Sequence, residues 1–151
     1  MSDQTEDNKE IVRRYQEAYN TGELDALDEL LAPDWVSNSF PVSVMDQTVE
    51  NLKVIQGMLL EAVPDLRYET ELLIAEGDHV VQVWTARGTH KGEMIGLVPR
   101  GNQIELGGTS VFEIRDGRIV RHHAVQDVID FIDQCGGDVP AEWMAFVHRA
   151  H

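Results

Sequence analysis

The residues of this sequence best suited to moving protons cluster near the end of its last apolar alternation. Asp127 follows the run Arg118 to Gln126 and is bordered by Val125 and Val128. A carboxylate held among apolar neighbours is expensive to keep charged, so its pKa climbs toward the range useful for general acid–base chemistry. The same residue at the same place has an architectural use, because Asp accepts backbone N–H groups at the start of a following segment, here Val128 to Phe131. Spacing leaves both readings open.

In the same run Ile119, Arg121, His123, Val125 and Asp127 fall on one face of an extended strand, with Val120, His122, Ala124 and Gln126 on the other. His123 and Asp127 are therefore roughly 13 Å apart and form no direct pair, although they can line two levels of one cavity. Alternation does not say which face looks inward. His90 precedes a glycine-bearing loop and is a candidate rim contact for a ligand, with a solvent-exposed loop histidine as the alternative. Trp84, together with Gln82, gives the same strand an amphipathic wall. Tyr15, Trp35 and Asn38 are further pocket candidates, each of a type that also serves in cores or turns.

Other chemistries are poorly served. The histidines and carboxylates show no metal-ligand spacing, and His122 and His123 point to opposite faces, so no metal is expected. Phosphate-loop, dinucleotide and nucleophile-elbow motifs are missing, so no cofactor is expected either. Cys135 is the only cysteine, which rules out an intramolecular disulfide and leaves it as a small apolar residue. A net charge of -15 makes phosphate backbones and anionic membranes poor partners. With nine Arg, three Lys and 27 acidic residues, the surface suits either a halophilic source or an ordinary acidic cytosolic one. No stretch is apolar for the roughly 20 residues that a membrane helix needs, and the polar start lacks a signal peptide's pattern, which gives a cytoplasmic expectation.

Several elements must position these side chains. Residues 1–7 are polar and expected to be disordered. Ile11, Val12, Tyr15, Ala18 and Tyr19 recur at helical spacing, after a possible Asn8 cap and before the turn signal Asn20-Thr21-Gly22. Leu24, Leu27, Leu30 and Leu31 mark a short second helix stopped at Ala32-Pro33, and Trp35-Val36 opens a brief extended piece. Residues 38–45 read as a loop over a cavity mouth. A third helix spans Val49 to Ala62. From Leu66 the period changes to two, giving four strands: 66–75, 79–90, 102–115 and 118–127. Gly77 and Asp116-Gly117 supply hairpin turns, residues 91–101 form a longer loop, and 138–151 read as a helical tail. Three helices followed by a twisted antiparallel sheet bury both layers when the sheet curls around the helices into a cone, so the fold class is α+β in a single domain over 1–151. The open end of such a cone is a natural pocket for a small hydrophobic molecule.

The ordered series Asn20-Thr21-Gly22, Leu24-Asp25-Ala26-Leu27, Leu31-Ala32-Pro33-Asp34, Pro64-Asp65-Leu66, Ala75-Glu76-Gly77-Asp78, Arg87-Gly88-Thr89-His90-Lys91-Gly92-Glu93 and Asp116-Gly117-Arg118-Ile119-Val120 resembles the SnoaL-like polyketide cyclases. These proteins, often labelled ester cyclases, belong to the NTF2-like superfamily, and the resemblance runs from about Asn8 to Gly136. It implies the NTF2-like cone, commonly a homodimer through its sheet, and ring closure by intramolecular aldol condensation without metal or cofactor. It also implies an aspartate as general acid/base, which falls on Asp127, with Thr89-His90 at the rim. The chain departs from the family pattern at His123, where relatives often carry Trp, at Pro99-Arg100-Gly101, and at Ser37-Asn38. The expected function is thus a cyclase-like enzyme on a small hydrophobic carbonyl compound, with His90 or His123 holding the enolate oxygen. Isomerase or epoxide-hydrolase chemistry and a non-catalytic binding module are the alternatives.

Overall fold

The computed structural model describes residues 3–39 and 42–141. Helix α1 (Gln4–Thr21) starts earlier than its apolar spacing suggests. Asp3 is its cap, accepting from Thr5 N–H, while Asn8 lies buried inside the helix and donates to Gly77 O at 3.2 Å. Residues 4–7 are therefore helical and not disordered. Val12, Tyr15, Ala18 and Tyr19 form the buried stripe of α1, and Gly22 closes it with φ of 74°. One turn of 3-10 helix (Leu24–Ala26) leads into α2 (Leu27–Leu30), whose Leu27 and Leu30 are buried. Helix α3 (Val49–Ala62) is capped by the Thr48 hydroxyl, which accepts from Asn51 N–H at 3.1 Å.

The sheet has five strands, one more than the alternation predicts: β1 (Leu31–Ser37), β2 (Arg67–Glu76), β3 (His79–Thr89), β4 (Gln103–Arg115) and β5 (Arg118–Gln126), in the order β1-β5-β4-β3-β2. The four later strands pair antiparallel, whereas β1 joins β5 in parallel at the edge. The leucines that close α2 run directly into β1, so Leu31 and Ala32 read as helix in sequence. Their strand state depends on pairing with Ile119 and its neighbours, residues far away in the chain. Pro33 is tolerated there because an edge strand can spare an N–H.

The inner face of the sheet carries Val80, Gln82, Trp84 and Ala86 from β3 and Ile104, Ser110, Phe112 and Ile114 from β4, all buried. One core joins this face to α1, α2, Trp35 and Leu52. A second, around Ala62, Val63, Leu66, Trp84, Ile104 and Cys135, lies under α4 (Val128–Gln134). Gln134 ties α4 to β4 as a strand would, donating to Glu105 O and accepting from Glu105 N–H, both at 2.7 Å. The helical tail expected over 138–151 falls mostly on 142–151, outside the described residues. Among the described residues no helix is long and apolar enough to cross a membrane.

Candidate active site

The direction of β5 side chains is settled by one irregularity. Ile119 pairs with Ile114, but Arg121 already pairs with Glu113, so Val120 is an extra residue that shifts the register. A β-bulge of this kind changes which parity faces the core. Ile119 and His122 both point inward in consequence, although strict alternation puts them on opposite faces. His123, opposite Val111, points outward and is exposed, as are Arg121 and Val125. The expectation of a pocket-lining His123 is therefore corrected: His122 takes the inner place.

His122 is stacked on Phe112 with ring centroids 4.7 Å apart and planes tilted by 21°. Its ring lies 5.9 Å from that of Tyr15. Tyr15 and Tyr19 are one helical turn apart, and their hydroxyls hydrogen-bond to each other. Tyr19 meets Tyr68 at 5.6 Å and Tyr68 meets Trp84 at 5.4 Å, completing an aromatic wall across the sheet. The Trp84 indole N–H donates to Ser110 Oγ at 2.9 Å. Burial dominates the electrostatics here. It pushes His122 down from 6.5 to about 4, with the adjacent His123 a smaller cause, and it holds the Tyr15, Tyr19 and Tyr68 hydroxyls well above their usual range. His122 is thus a neutral imidazole near pH 7, and its Nε2 has no hydrogen-bond partner among the described residues.

Asp127 is placed differently from the enclosed position expected for it. It is exposed at the end of β5, its N–H donates to Gly107 O at 3.3 Å, and its Oδ1 accepts from Asp130 N–H at 3.1 Å as the cap of α4. The carboxylate faces solvent there and serves the following helix instead of a cavity.

A family model for the SnoaL-like polyketide cyclases matches residues 9–135. The chain belongs to the SnoaL-like polyketide cyclase family. Among solved structures it is similar to IdmH, a candidate polyketide cyclase from Streptomyces antibioticus, at 29% identity and TM-score 0.75 over 85% of this chain and 98% of that one. A candidate polyketide cyclase from Acidithiobacillus ferrooxidans is 27% identical with TM-score 0.76, over 90% and 98% of the two chains. AclR, a candidate hydroxylase from Streptomyces galilaeus, shares the fold at 24% identity and TM-score 0.76, over 87% and 97%. A comparison with curated proteins finds no match.

Of the other residues singled out in the sequence of this SnoaL-like chain, Tyr15 and Trp84 stand on the inner wall. Trp35 is buried in the main core on β1, with its indole N–H unpaired among the described residues. Asn38 is exposed, and its backbone N–H donates to His122 O of β5 at 3.2 Å. His90 is fully buried instead of standing at a solvent-facing rim, because the 91–101 loop folds back onto the end of α3: Lys91 and Gly92 N–H both donate to Ala62 O. His122 and Tyr19 were not singled out in the sequence. The (i, i+4) tyrosines on the apolar stripe were a usable signal for Tyr19, whereas no local signal marks the bulge that turns His122 inward. Two surface hollows, of about 420 Å³ at Gly22–Ala26 and about 260 Å³ between the 96–100 loop and residues 135–138, lie away from the aromatic wall.

Proposed function

We propose that this SnoaL-like protein enolises a small polyketide-type carbonyl compound on the inner aromatic wall and closes its ring, with His122 as the proton carrier. The observation that carries this reading is a half-buried, neutral imidazole whose Nε2 lacks a partner among the described residues, its ring 5.9 Å from that of Tyr15, whose hydroxyl is paired with that of Tyr19. In the first step the Nε2 lone pair takes a proton from the carbon next to a carbonyl, and the C–H electrons become the enolate double bond while charge moves onto oxygen. A tyrosine hydroxyl donates to that oxygen. The enolate carbon then attacks a second carbonyl of the same molecule, forming the ring bond, and the resulting alkoxide takes the proton back from the imidazolium. Burial alone disfavours the imidazolium, but an enolate formed beside it favours the charged form, so the proton moves only when substrate supplies the counter-charge. The aromatic wall suits a flat, apolar substrate.

A second reading keeps Asp127 as the general acid/base, supported by the family resemblance at its position after the Asp116-Gly117 hairpin. Two variants separate the readings in an assay of ring closure on a panel of aryl 1,3-diketones and poly-β-ketones followed by mass spectrometry. His122→Gln is expected to lower kcat by roughly 100-fold or more. Asp127→Asn preserves the cap and is expected to leave turnover nearly unchanged. The reverse outcome transfers the role to Asp127, and no turnover by the wild-type chain on any member of the panel favours a binding module.

We further infer a homodimer through the outer face of the sheet. Ile74, Val81, Val111 and His123 form one cross-strand row there and Leu72, Val83, Thr109 and Val125 the next. Leu72, Ile74 and Val125 are 49%, 52% and 64% exposed, a large apolar surface for a lone chain. Sedimentation should find a dimer that Val125→Asp converts to monomer, and a monomeric wild type would overturn the inference.

A further inference from the structure

The 91–101 loop, which folds back onto α3, presents an apolar tip that nothing covers among the described residues. Met94 and Leu97 close it as a two-residue hairpin, Leu97 N–H donating to Met94 O at 2.8 Å, with Ile95 and Gly96 between them at φ of 46° and 79°. A β-branched residue is disfavoured in that left-handed conformation, where turns of this kind favour Asn, Asp or Gly. Ile95 is 69% exposed and Val98 71%, more than any other large hydrophobic among the described residues. Val98 and Arg100 line the hollow of about 260 Å³ between the loop and residues 135–138. The two sides of that hollow already touch: a Cβ on Gly137 would lie 2.8 Å from Leu97 Cδ2, and one on Gly136 would lie 2.5 Å from the Arg100 guanidinium. Arg100 is exposed and has no carboxylate partner among the described residues, in a chain of net charge -15.

Residues 142–151, outside the described part, continue the chain from this same hollow. Asp138 lines it, and Trp143 follows five residues later, a reach of roughly 17 Å at full extension. Trp143, Met144, Phe146 and Val147 make this segment rich in large apolar side chains, and at helical spacing Trp143, Met144 and Val147 share one face. Glu142, next to Trp143, supplies the carboxylate that Arg100 lacks, and an indole offers its face to a guanidinium. A segment tethered this close has an effective concentration in the millimolar range, so it outcompetes a free partner for the same patch. The wider apolar surface, which suits a second copy of the chain, lies elsewhere, around Leu72, Ile74 and Val125 on the outer face of the sheet.

We propose that residues 142–151 dock on the tip of the 91–101 loop of their own chain, Trp143 against Val98 at the hollow and Glu142 on Arg100, tying that loop to the end of α4. Biosynthetic 5-fluorotryptophan in the full chain tests this, because Trp35, Trp84 and Trp143 give three 19F signals and a Trp143→Phe variant assigns the last. The Trp143 signal is expected to move little between H2O and D2O, the mark of a shielded ring. It should shift toward the free amino acid in Val98→Ser and in Arg100→Gln, but not in Met58→Ser on the exposed face of α3. Trp143→Ala should in turn speed hydrogen exchange of the Leu97 amide by roughly tenfold. A solvent-exposed Trp143 in the wild type, a shielded one that ignores Val98→Ser and Arg100→Gln, or unchanged Leu97 exchange in Trp143→Ala overturns the docking. Shielding that disappears on dilution belongs to a second copy and overturns it as well. Val98 and Arg100 are exposed, so their variants keep the fold, and none of these readouts depends on the proposed ring closure.

Discussion

His122 and His90 both lie on the inner face of one sheet, the first half-buried and the second fully buried, and both have ring nitrogens without a partner among the described residues, yet their surroundings differ in kind. His122 is walled by rings, stacked on Phe112 and close to Tyr15, so its surroundings are apolar and its charged form is suppressed. His90 is walled by chain ends: the last turn of α3, the 91–101 loop and the end of α4 meet around it, and its facing partner is an amide. The first environment suits a group that must gain and lose a proton, whereas the second packs an imidazole between the end of a helix and a folded-back loop. A ring nitrogen without a partner among the described residues is common to both, so that property alone assigns no role. The neighbours do.

The largest expected effect breaks the comparison at the chemistry. His122→Gln should cost roughly 100-fold or more in kcat on the diketone panel while His90→Gln leaves kcat within a few fold, and equal losses would erase the distinction. Next comes pH. Because the His122 pKa in the folded chain is lowered to about 4 from 6.5, the unfolded chain binds more protons between these values. Folding stability is therefore full above about pH 6.5 and falls as the pH drops toward 4, by on the order of 3 kcal/mol. Urea unfolding at several pH values should show this slope in the wild type and a flatter one in His122→Phe.

Two glycines probe the packing at each pole. A Cβ on Gly108 would lie 2.3 Å from the Trp84 ring, and one on Gly88 would lie 2.3 Å from Val63 and 3.2 Å from the Leu66 backbone. Gly108→Ala and Gly88→Ala should each destabilise by about 1–3 kcal/mol. The Gly108 change should also perturb the Trp84 indole signal, through its bond to Ser110, and the Gly88 change should leave it alone. The smallest effect concerns Asp127: Asp127→Ala should lose about 1 kcal/mol with the α4 cap, and Asp127→Asn almost nothing, by thermal unfolding. A stability loss in both variants would mean that the carboxylate does more than cap.

Much of this architecture was legible in the residues. The spacing of Val12, Tyr15, Ala18 and Tyr19 is a helix stripe, Asp116-Gly117 is a two-residue hairpin whose positive φ values of 51° and 76° suit that pair, and the alternation from Leu66 onward is a sheet. The site was only partly legible. Tyr15 and Trp84 stand on the inner wall, the carboxylate expected in an enclosed position is on the surface, and the histidine on the wall is His122, adjacent to the one anticipated. Alternation is a relative signal: it separates two faces without naming them, and one extra residue at Val120 exchanges them for the rest of the strand.

By itself, then, the sequence determined the order and type of the long elements, the α+β class and the family, because these rest on local periodicity and on motifs that lie within a few residues of one another. Tertiary structure alone decided that β1 is a strand, that β5 bulges, that the 91–101 loop buries His90 against α3, and that Asp127 caps α4. Each of these depends on partners distant in the chain, Ile119 for Leu31, Glu113 for Arg121 and Ala62 for Lys91, or on a cap whose geometry exists only once α4 has formed.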